Sequence, residues 1–346
     1  MFQPKYTITH LLLENIKRVY SLVQGLNQRH FPDVVLVELQ KAAEAVSTYA
    51  STSIEGNPLP LTDVKAILRN RPEQIRDSER EVLNYNEILK DLNRKLEKGP
   101  LPVTLELVLS IQKQVMQKLL PSYQAGKLRV DPVFVNDPRE RRTIYWPPDA
   151  PDVPTLMKDL IQFVKVNKDK IDPLILAGLF HKQMVVIHPF MDGNGRTTRL
   201  VTKVLLADMG LNTFNLFSFE NYYNQNVTRY FEMVGLRGNY YDLAEQIDFT
   251  AWLEYFTGGI IDELLRVEKS LPRIIVTPQT QLRPYHQTIL EFIKQKGYIT
   301  DRDYAALVDR AKPTRRLDFN KLIDLGLIVR EGKGKNTYYV LGESDQ

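Results

Sequence analysis

Residues His188 to Leu200 read HPFMDGNGRTTRL. These thirteen residues hold a possible general base, a carboxylate, a glycine-rich turn and two arginines. Before them, Asp172 to Ile187 is apolar on almost every face, through Leu174, Ile175, Leu176, Ala177, Leu179, Phe180, Met184, Val185, Val186 and Ile187. That pattern predicts a buried central helix. Pro189 disfavours the α region for its predecessor, so the helix ends at His188 and the loop begins there. Gly193 and Gly195 permit left-handed or otherwise unusual backbone angles. Arg196 to Met209 then reads as a helix stopped by Gly210. Helix, tight Gly-Asn-Gly turn, helix is the geometry of an anion nest feeding a helix N-terminus. An imidazole with its ordinary pKa of about 6.5 can take a hydroxyl proton near neutral pH. Asp192 is a hard oxygen ligand, Phe190 an apolar anchor for the loop, and Arg196 and Arg199 share one helix face.

The rest of the chain frames this turn. Residues 7 to 30 and 32 to 55 carry helical periodicity, the second ending Ser51-Thr-Ser-Ile-Glu55-Gly56-Asn57. Ser51 and Glu55 share a face there. A carboxylate in a last helical turn opposes the helix dipole, by up to about 1 kcal/mol. On the residues alone, this is a serine-rich final turn before a glycine stop. Thr62 can cap a further helix. Arg76 to Lys98 and Thr104 to Leu119 are amphipathic helices, the latter ended by Pro121. Residues 122 to 155 hold six prolines and a β-rich middle. There Val133 to Val135 and Thr143 to Trp146, separated by Asn136-Asp-Pro138, read as a β-hairpin. Val153 to Val166 is helical, and residues 218 to 270 are helices rich in aromatics, including Tyr222, Tyr223, Tyr230, Phe231, Tyr240 and Tyr241. His10, His30, His181 and His286 lack a phosphate-type loop and read as structural.

The 346 residues are 43% hydrophobic and 25% charged, enough for two or three folded domains. A net charge of +4 implies no nucleic acid by itself. With no cysteine, disulfides, thiolate metal sites and a Cys nucleophile are excluded, and a reducing cytosol fits. No apolar run approaches the roughly 20 residues needed to span a bilayer, and the N-terminus lacks a signal-peptide layout, so a cytoplasmic protein without a membrane role is expected. Residues 280 to 346 hold 12 lysines and arginines against 9 acids, a net of +3. Their three short helices and final hairpin resemble a winged helix-turn-helix domain. Lys312, Arg315, Arg316, Lys321, Arg330, Lys333 and Lys335 on its third helix and wing would suit phosphate contacts with DNA, or protein contacts instead.

The central stretch also resembles a family signature, that of Fic domains: His-x-Phe-x-(Asp/Glu)-Gly-Asn-Gly-Arg-x-x-Arg, with all eight fixed positions present. The fold class implied is mainly α: a Fic-type helical core with a β-hairpin flap, plus the winged module. The expected division is an N-terminal helical region 1–103, a catalytic core with following helices 104–271, a linker 272–284 and a winged-helix domain 285–346. The activity implied is transfer of AMP from ATP to a hydroxyl side chain of a target protein and of the chain itself. In that resemblance His188 is the base, and Asp192 holds Mg²⁺ between phosphates. Gly193, Asn194 and Gly195 offer backbone N–H groups, with the Asn194 side chain as a further donor. Arg196 and Arg199 meet the β- and γ-phosphates. Ser51 and Glu55 match the family's inhibitory motif, (Ser/Thr)-x-x-x-Glu-(Gly/Asn), in which Glu55 pairs with Arg199. The hairpin, through Thr143, Ile144 and Tyr145, becomes a flap that docks the target by main-chain pairing. Tyr222, Tyr223 and Asn226 are the candidates for the adenine side, and the aromatic helices make a homodimer credible. Removal of AMP by the same site, transfer of another group, and a DNA-binding regulator whose core senses nucleotide stay open as other readings.

Overall fold

The computed structural model describes residues 2–29, 33–137, 142–211, 213, 215–274, 282–325, 327–332, 334 and 337–342. His30, Pro32, Pro138, the middle of the expected linker (275–281), Gly326, Lys333 and Lys335 lie outside them. The chain divides into two units, Met1–Gln28 with Ala43–Arg266, and Arg29–Ala42 with Val267–Gln346. Among the described residues no helix is long and apolar enough to cross a membrane.

Helices α1 (His10–Asn27), α2 (Asp33–Ile54), α3 (Leu61–Arg69), α4 (Asp77–Glu97) and α5 (Leu105–Val115) come first. The apolar stripe of α1 is inside, at Leu12, Ile16, Val19, Val23 and Leu26. Thr62 does not cap α3: Pro60 occupies that position, and Thr62 lies in the first turn. Thr104 does cap α5, accepting from the Leu107 N–H. That helix stops at Val115, short of Pro121, and the chain turns through Lys118 at φ 62°. Strands β1 (Val135–Asp137) and β2 (Arg142–Trp146) form a hairpin where one is expected, but β1 lies two residues later than Val133–Val135, so that Asn136 and Asp137 pair in the ladder instead of turning; its register shifts between Val135 and Asn136. A two-residue strand β3 (Gly238–Asn239), not foreseen in the sequence, pairs parallel to β2 at Tyr145 and Trp146.

Helices α6 (Val153–Asn167), α7 (Pro173–Ile187) and α8 (Asn194–Asp208) form the centre. α7 packs against α6 and α8. It is buried on almost every face, as a helix so largely apolar must be, and takes His181, Lys182 and Gln183 inside with it. Helices α9 (Phe219–Gln225), α10 (Val227–Val234), α11 (Tyr240–Leu243) and α12 (Thr250–Ile274) follow. Trp252 donates to the Gly178 carbonyl at 2.7 Å, and a Cβ on Gly178 would meet Leu253 at 2.6 Å. Glycine there lets α12 approach α7. His181 is structural: its ring nitrogens meet Tyr230 and Thr202 hydroxyls, each at 3.0 Å, inside a shell of aromatics. Tyr223 and Tyr230 are in the core, while Phe231 and Tyr241 stay exposed.

In the second unit, α13 (Pro284–Lys296), α14 (Asp301–Leu307) and α15 (Lys312–Asp324) precede the antiparallel pair β4 (Ile328–Glu331) and β5 (Tyr338–Leu341). Ile289, Ile293, Tyr304, Phe319 and Leu322 share a small core. Arg315 is not on an open basic face: it makes two 2.9 Å hydrogen bonds to the Asp301 carboxylate.

Candidate active site

The site begins where α7 ends. His188 sits in the left-handed region, φ 50° and ψ 60°, a conformation that costs a non-glycine residue about 1–2 kcal/mol. Pro189 accounts for the departure from the helix. Arg129 accounts for its persistence, and nothing local to the loop announced it in the sequence. The Arg129 guanidinium donates to the carbonyls of His188 at 2.8 Å, Asp131 at 3.3 Å and Pro148, and its backbone N–H to Pro189 at 2.9 Å. Burial pushes the His188 imidazole below its ordinary pKa, against the opposing pull of Glu55 and Asp192. The ring is therefore neutral at pH 7 and able to accept a proton.

Phe190, fully buried, pins the loop. Asn194 closes it: its side-chain oxygen accepts from the Phe190 N–H and its amide donates to the Phe190 carbonyl, both at 2.9 Å. One of the two amide N–H groups is thus used, and Asn194 lines the adjoining cleft. Gln112 ties the loop to its surroundings, donating to the Asp192 carbonyl at 3.0 Å and accepting from Gly126. α8 starts at Asn194, two residues earlier than expected, with Gly193 as its N-cap at φ 78°. The N–H groups of its first turn therefore point out of the helix end without intrahelical partners. Gly195 is helical, and needs glycine for space rather than for its angles. A Cβ there would lie 2.1 Å from a Glu55 oxygen and 2.9 Å from an Arg199 nitrogen.

Gly193→Ala is expected to lower the thermal unfolding midpoint. The positive φ alone costs about 1–2 kcal/mol, and the new Cβ would meet the Met116 sulfur at 2.7 Å. An unchanged melting curve would contradict the geometry.

Arg196 and Arg199 are both buried. Arg196 pairs with Asp192 at 3.1 Å and with Glu81 at 3.1 Å. Arg199 donates to the Ser51 hydroxyl at 2.8 Å, the Ser51 carbonyl at 2.9 Å and a Glu55 oxygen at 2.7 Å. Burial disfavours the Glu55 carboxylate, but Arg199 and Arg196 outweigh it and hold its pKa below the usual range. Even so, Nε of Arg196 and Nη1 of Arg199 make no hydrogen bond to any described residue. Buried guanidinium donors are rarely left unmet; both arginines stand in the first two turns of α8, and Arg199 lines the adjoining cleft. The arrangement is that of a receptor for a multiply charged anion, with Glu55 lying where part of that anion would sit.

The cleft beside this end has a volume of about 610 Å³. Its sides are Val135, Asn136, Ile144 and Tyr145 of the hairpin, and its far wall is Val227, Thr228, Phe231 and Val234. Tyr222, Tyr223 and Asn226 are not on that wall. Tyr223 is fully buried, and the Asn226 side chain caps α10 by accepting from Arg229 at 3.0 Å. Thr143 bonds Asn136 at 2.8 Å, Ile144 faces the cleft, and Tyr145 turns inward to donate to the Val186 carbonyl at 2.9 Å.

Residues 102–206 match the Fic/DOC family, and the chain carries a Fic domain. Two relatives show how far the likeness extends. Protein adenylyltransferase Fic of Nematostella vectensis is 32% identical over 167 residues, covering 47% of this chain and 37% of that protein. The protein of the same name from Drosophila erecta is 29% identical over 217 residues, covering 57% and 42%. The chain thus spans about two fifths of the length of these curated relatives. The crystal structure of a Fic family protein from Desulfovibrio desulfuricans G20 superposes over 100% of both chains, with a TM-score of 0.66 at 22% identity. A Fic domain containing signaling protein from Bacteroides thetaiotaomicron gives 0.61 over 75% of this chain and 98% of that one, also at 22% identity. These two share the fold.

Proposed function

We propose that the chain transfers AMP from ATP to a hydroxyl side chain of a protein, and that Glu55 restrains it by occupying Arg199. The observation that carries this reading is the pair of buried arginines with unmet donors at the α8 N-terminus, beside a neutral, half-buried imidazole. A triphosphate supplies the charge those donors lack. Arg196 and Arg199 would take its outer phosphates, the first-turn N–H groups its inner ones, and His188 the proton of the incoming hydroxyl. The new bond joins that oxygen to the α-phosphorus, and pyrophosphate leaves toward the arginines.

Mg²⁺ fits the residues present. Among the described residues no cluster of three or more His, Asp or Glu could hold a metal alone. Asp192 is a single half-exposed carboxylate at the nest, the usual share of protein ligands for a Mg²⁺ held mainly by phosphates and water. It would lend charge neutralisation to the phosphates when bound.

The flap reading is supported by β2, whose edge carries the β3 pairing only at Tyr145 and Trp146 among the described residues. An extended target segment could pair alongside Thr143 and Ile144. The order of elements in residues 285–346 supports the winged-helix reading. Its use on DNA has less support, since the Arg315 charge is taken up by Asp301. The cysteine-free composition fits a cytoplasmic setting.

The decisive experiment is label transfer from α-labelled ATP with Mg²⁺ on the wild type and Glu55→Gly. Label on protein supports AMP transfer; ATP binding without label on either protein sinks it. The pH profile of the Glu55→Gly enzyme gives a second check. Because burial lowers the His188 pKa, kcat/KM should stay level as pH falls from 8 through the ordinary imidazole value of about 6.5 and drop only below it. A decline centred at or above that value would contradict the buried-base assignment.

A further inference from the structure

The two arginines of α8 are held from outside that helix by different carboxylates. Glu55 takes Arg199, while Glu81 of α4 stands with one oxygen 3.1 Å from Nη1 of Arg196. Asp192 also pairs with Arg196, but its side chain is 55% exposed and that of Glu81 only 25%. Exposed pairs contribute little, so Glu81 is the firmer partner. Glu81 is fixed in its turn. Its second oxygen accepts from the Asn57 amide at 2.8 Å, and the same amide donates to the Ser78 carbonyl at 2.9 Å. The Asn57 oxygen accepts from the Leu59 N–H at 3.2 Å, so a reversed amide would set donor against donor. The Asn57 N–H donates to the Thr52 carbonyl at 3.2 Å, which ties the residue to the end of α2. Glu81 thus bridges the turn that follows Glu55 to the first arginine of the site.

We propose that Glu81 is a positioning residue for Arg196, holding its guanidinium at the phosphate site without consuming the donors a phosphate needs. Both Glu81 oxygens face donors, Asn57 at one and Arg196 at the other. A carboxylate accepts at both, whereas an amide would set a donor against one of them. The contact with Nη1 is a pairing of charges and not an aligned hydrogen bond, and neither Nε nor Nη1 of Arg196 bonds any described residue. Their protons stay available while the group is held in place. A guanidinium fixed beforehand loses less entropy when an anion binds. The hold is also independent of Asp192, so Arg196 keeps a partner when that carboxylate turns to Mg²⁺.

This inference rests on the reading of Arg196 as partner of the β-phosphate, and the two can fail separately. Equilibrium binding of ADP and of AMP, each with Mg²⁺, is compared in the Glu55→Gly protein with and without Glu81→Gln, Asn57→Ala or Arg196→Ala. AMP lacks the phosphate that Arg196 would hold, so it reports on general integrity of the cleft. The isosteric Glu81→Gln is expected to reduce the preference for ADP over AMP by about tenfold, the size of one contact with a charged group. AMP affinity should be unchanged. Asn57→Ala, which loosens Glu81 but leaves its charge, should act in the same direction by about threefold. In an Arg196→Ala background Glu81→Gln should leave the preference where it is, because the group it acts on is gone. Equal losses for ADP and AMP would make Glu81 merely structural, and a rise in the preference would make it a competitor of the phosphate; either overturns the positioning role alone. So does an undiminished Glu81→Gln effect without Arg196. A preference for ADP that Arg196→Ala by itself leaves unaltered overturns the phosphate assignment and the positioning role with it.

Discussion

Replacing Glu55 with glycine should raise AMP transfer by about two orders of magnitude. The Glu55 oxygen stands 2.7 Å from Arg199, whose guanidinium is fully buried. It also stands 2.1 Å from where a Cβ on Gly195 would be, over the first turn of α8. A γ-phosphate must displace it to reach Arg199. A bias of about 2.7 kcal/mol toward the paired state is enough to keep some 99% of molecules blocked, so removing it gives roughly a hundredfold gain. An ion pair with one partner out of water reaches that strength readily, unlike an exposed pair. The pairing also predicts a pH response. The Glu55 pKa is held below the usual carboxylate range, so the carboxylate is paired above that range and the pair is lost only as pH falls through the lowered value. Mild acid should therefore not release the wild-type enzyme. Equal rates for wild type and Glu55→Gly would show that the pair does not restrain the reaction.

Adding His188→Ala to Glu55→Gly should remove transfer, by about 10²- to 10⁴-fold, the usual contribution of a positioned general base. ATP affinity should change little. The groups assigned to the phosphates, Arg196, Arg199 and the α8 N-terminus, are held by Asp192, Glu81, Ser51 and the Asn194–Phe190 bonds rather than by the imidazole. Loss of ATP binding together with transfer would assign His188 to the loop's architecture instead. Retained transfer would require another base.

What could be read from the sequence was what lay close together along it. His188, Asp192, Arg196 and Arg199 fall within one turn and one helix, so helical geometry alone brings them to one place. The apolar run of α7 and the hairpin strands were equally local. What holds that constellation came from far away and left no local mark. Arg129 reaches His188 across 59 residues. β3 is two residues long, too short to carry an alternating pattern. The adenine-side candidates Tyr222, Tyr223 and Asn226 do not line the cleft while Val227, Thr228 and Phe231 beside them do, because a single turn of helix decides whether a side chain points to core or cleft. One distant signal was present. Ser47, Thr48, Ser51 and Thr52 recur at helical spacing on a face that would ordinarily be hydrocarbon. Such a stripe marks a helix whose burial depends on polar partners elsewhere.

If β2 docks a target as proposed, the bond from Tyr145 to the Val186 carbonyl sets a standard of length for it. The bond fastens the C-terminal end of β2 to the last turn of the helix capped by His188. A peptide laid along β2 by main-chain pairing would be measured against the imidazole in steps of about 3.4 Å, the rise per residue of a strand. Moving the target hydroxyl one position along the peptide would turn it to the opposite side, out of reach, whatever its neighbours were. Recognition of that kind is a matter of where a hydroxyl falls on a scale, and it tolerates almost any lettering between the marks.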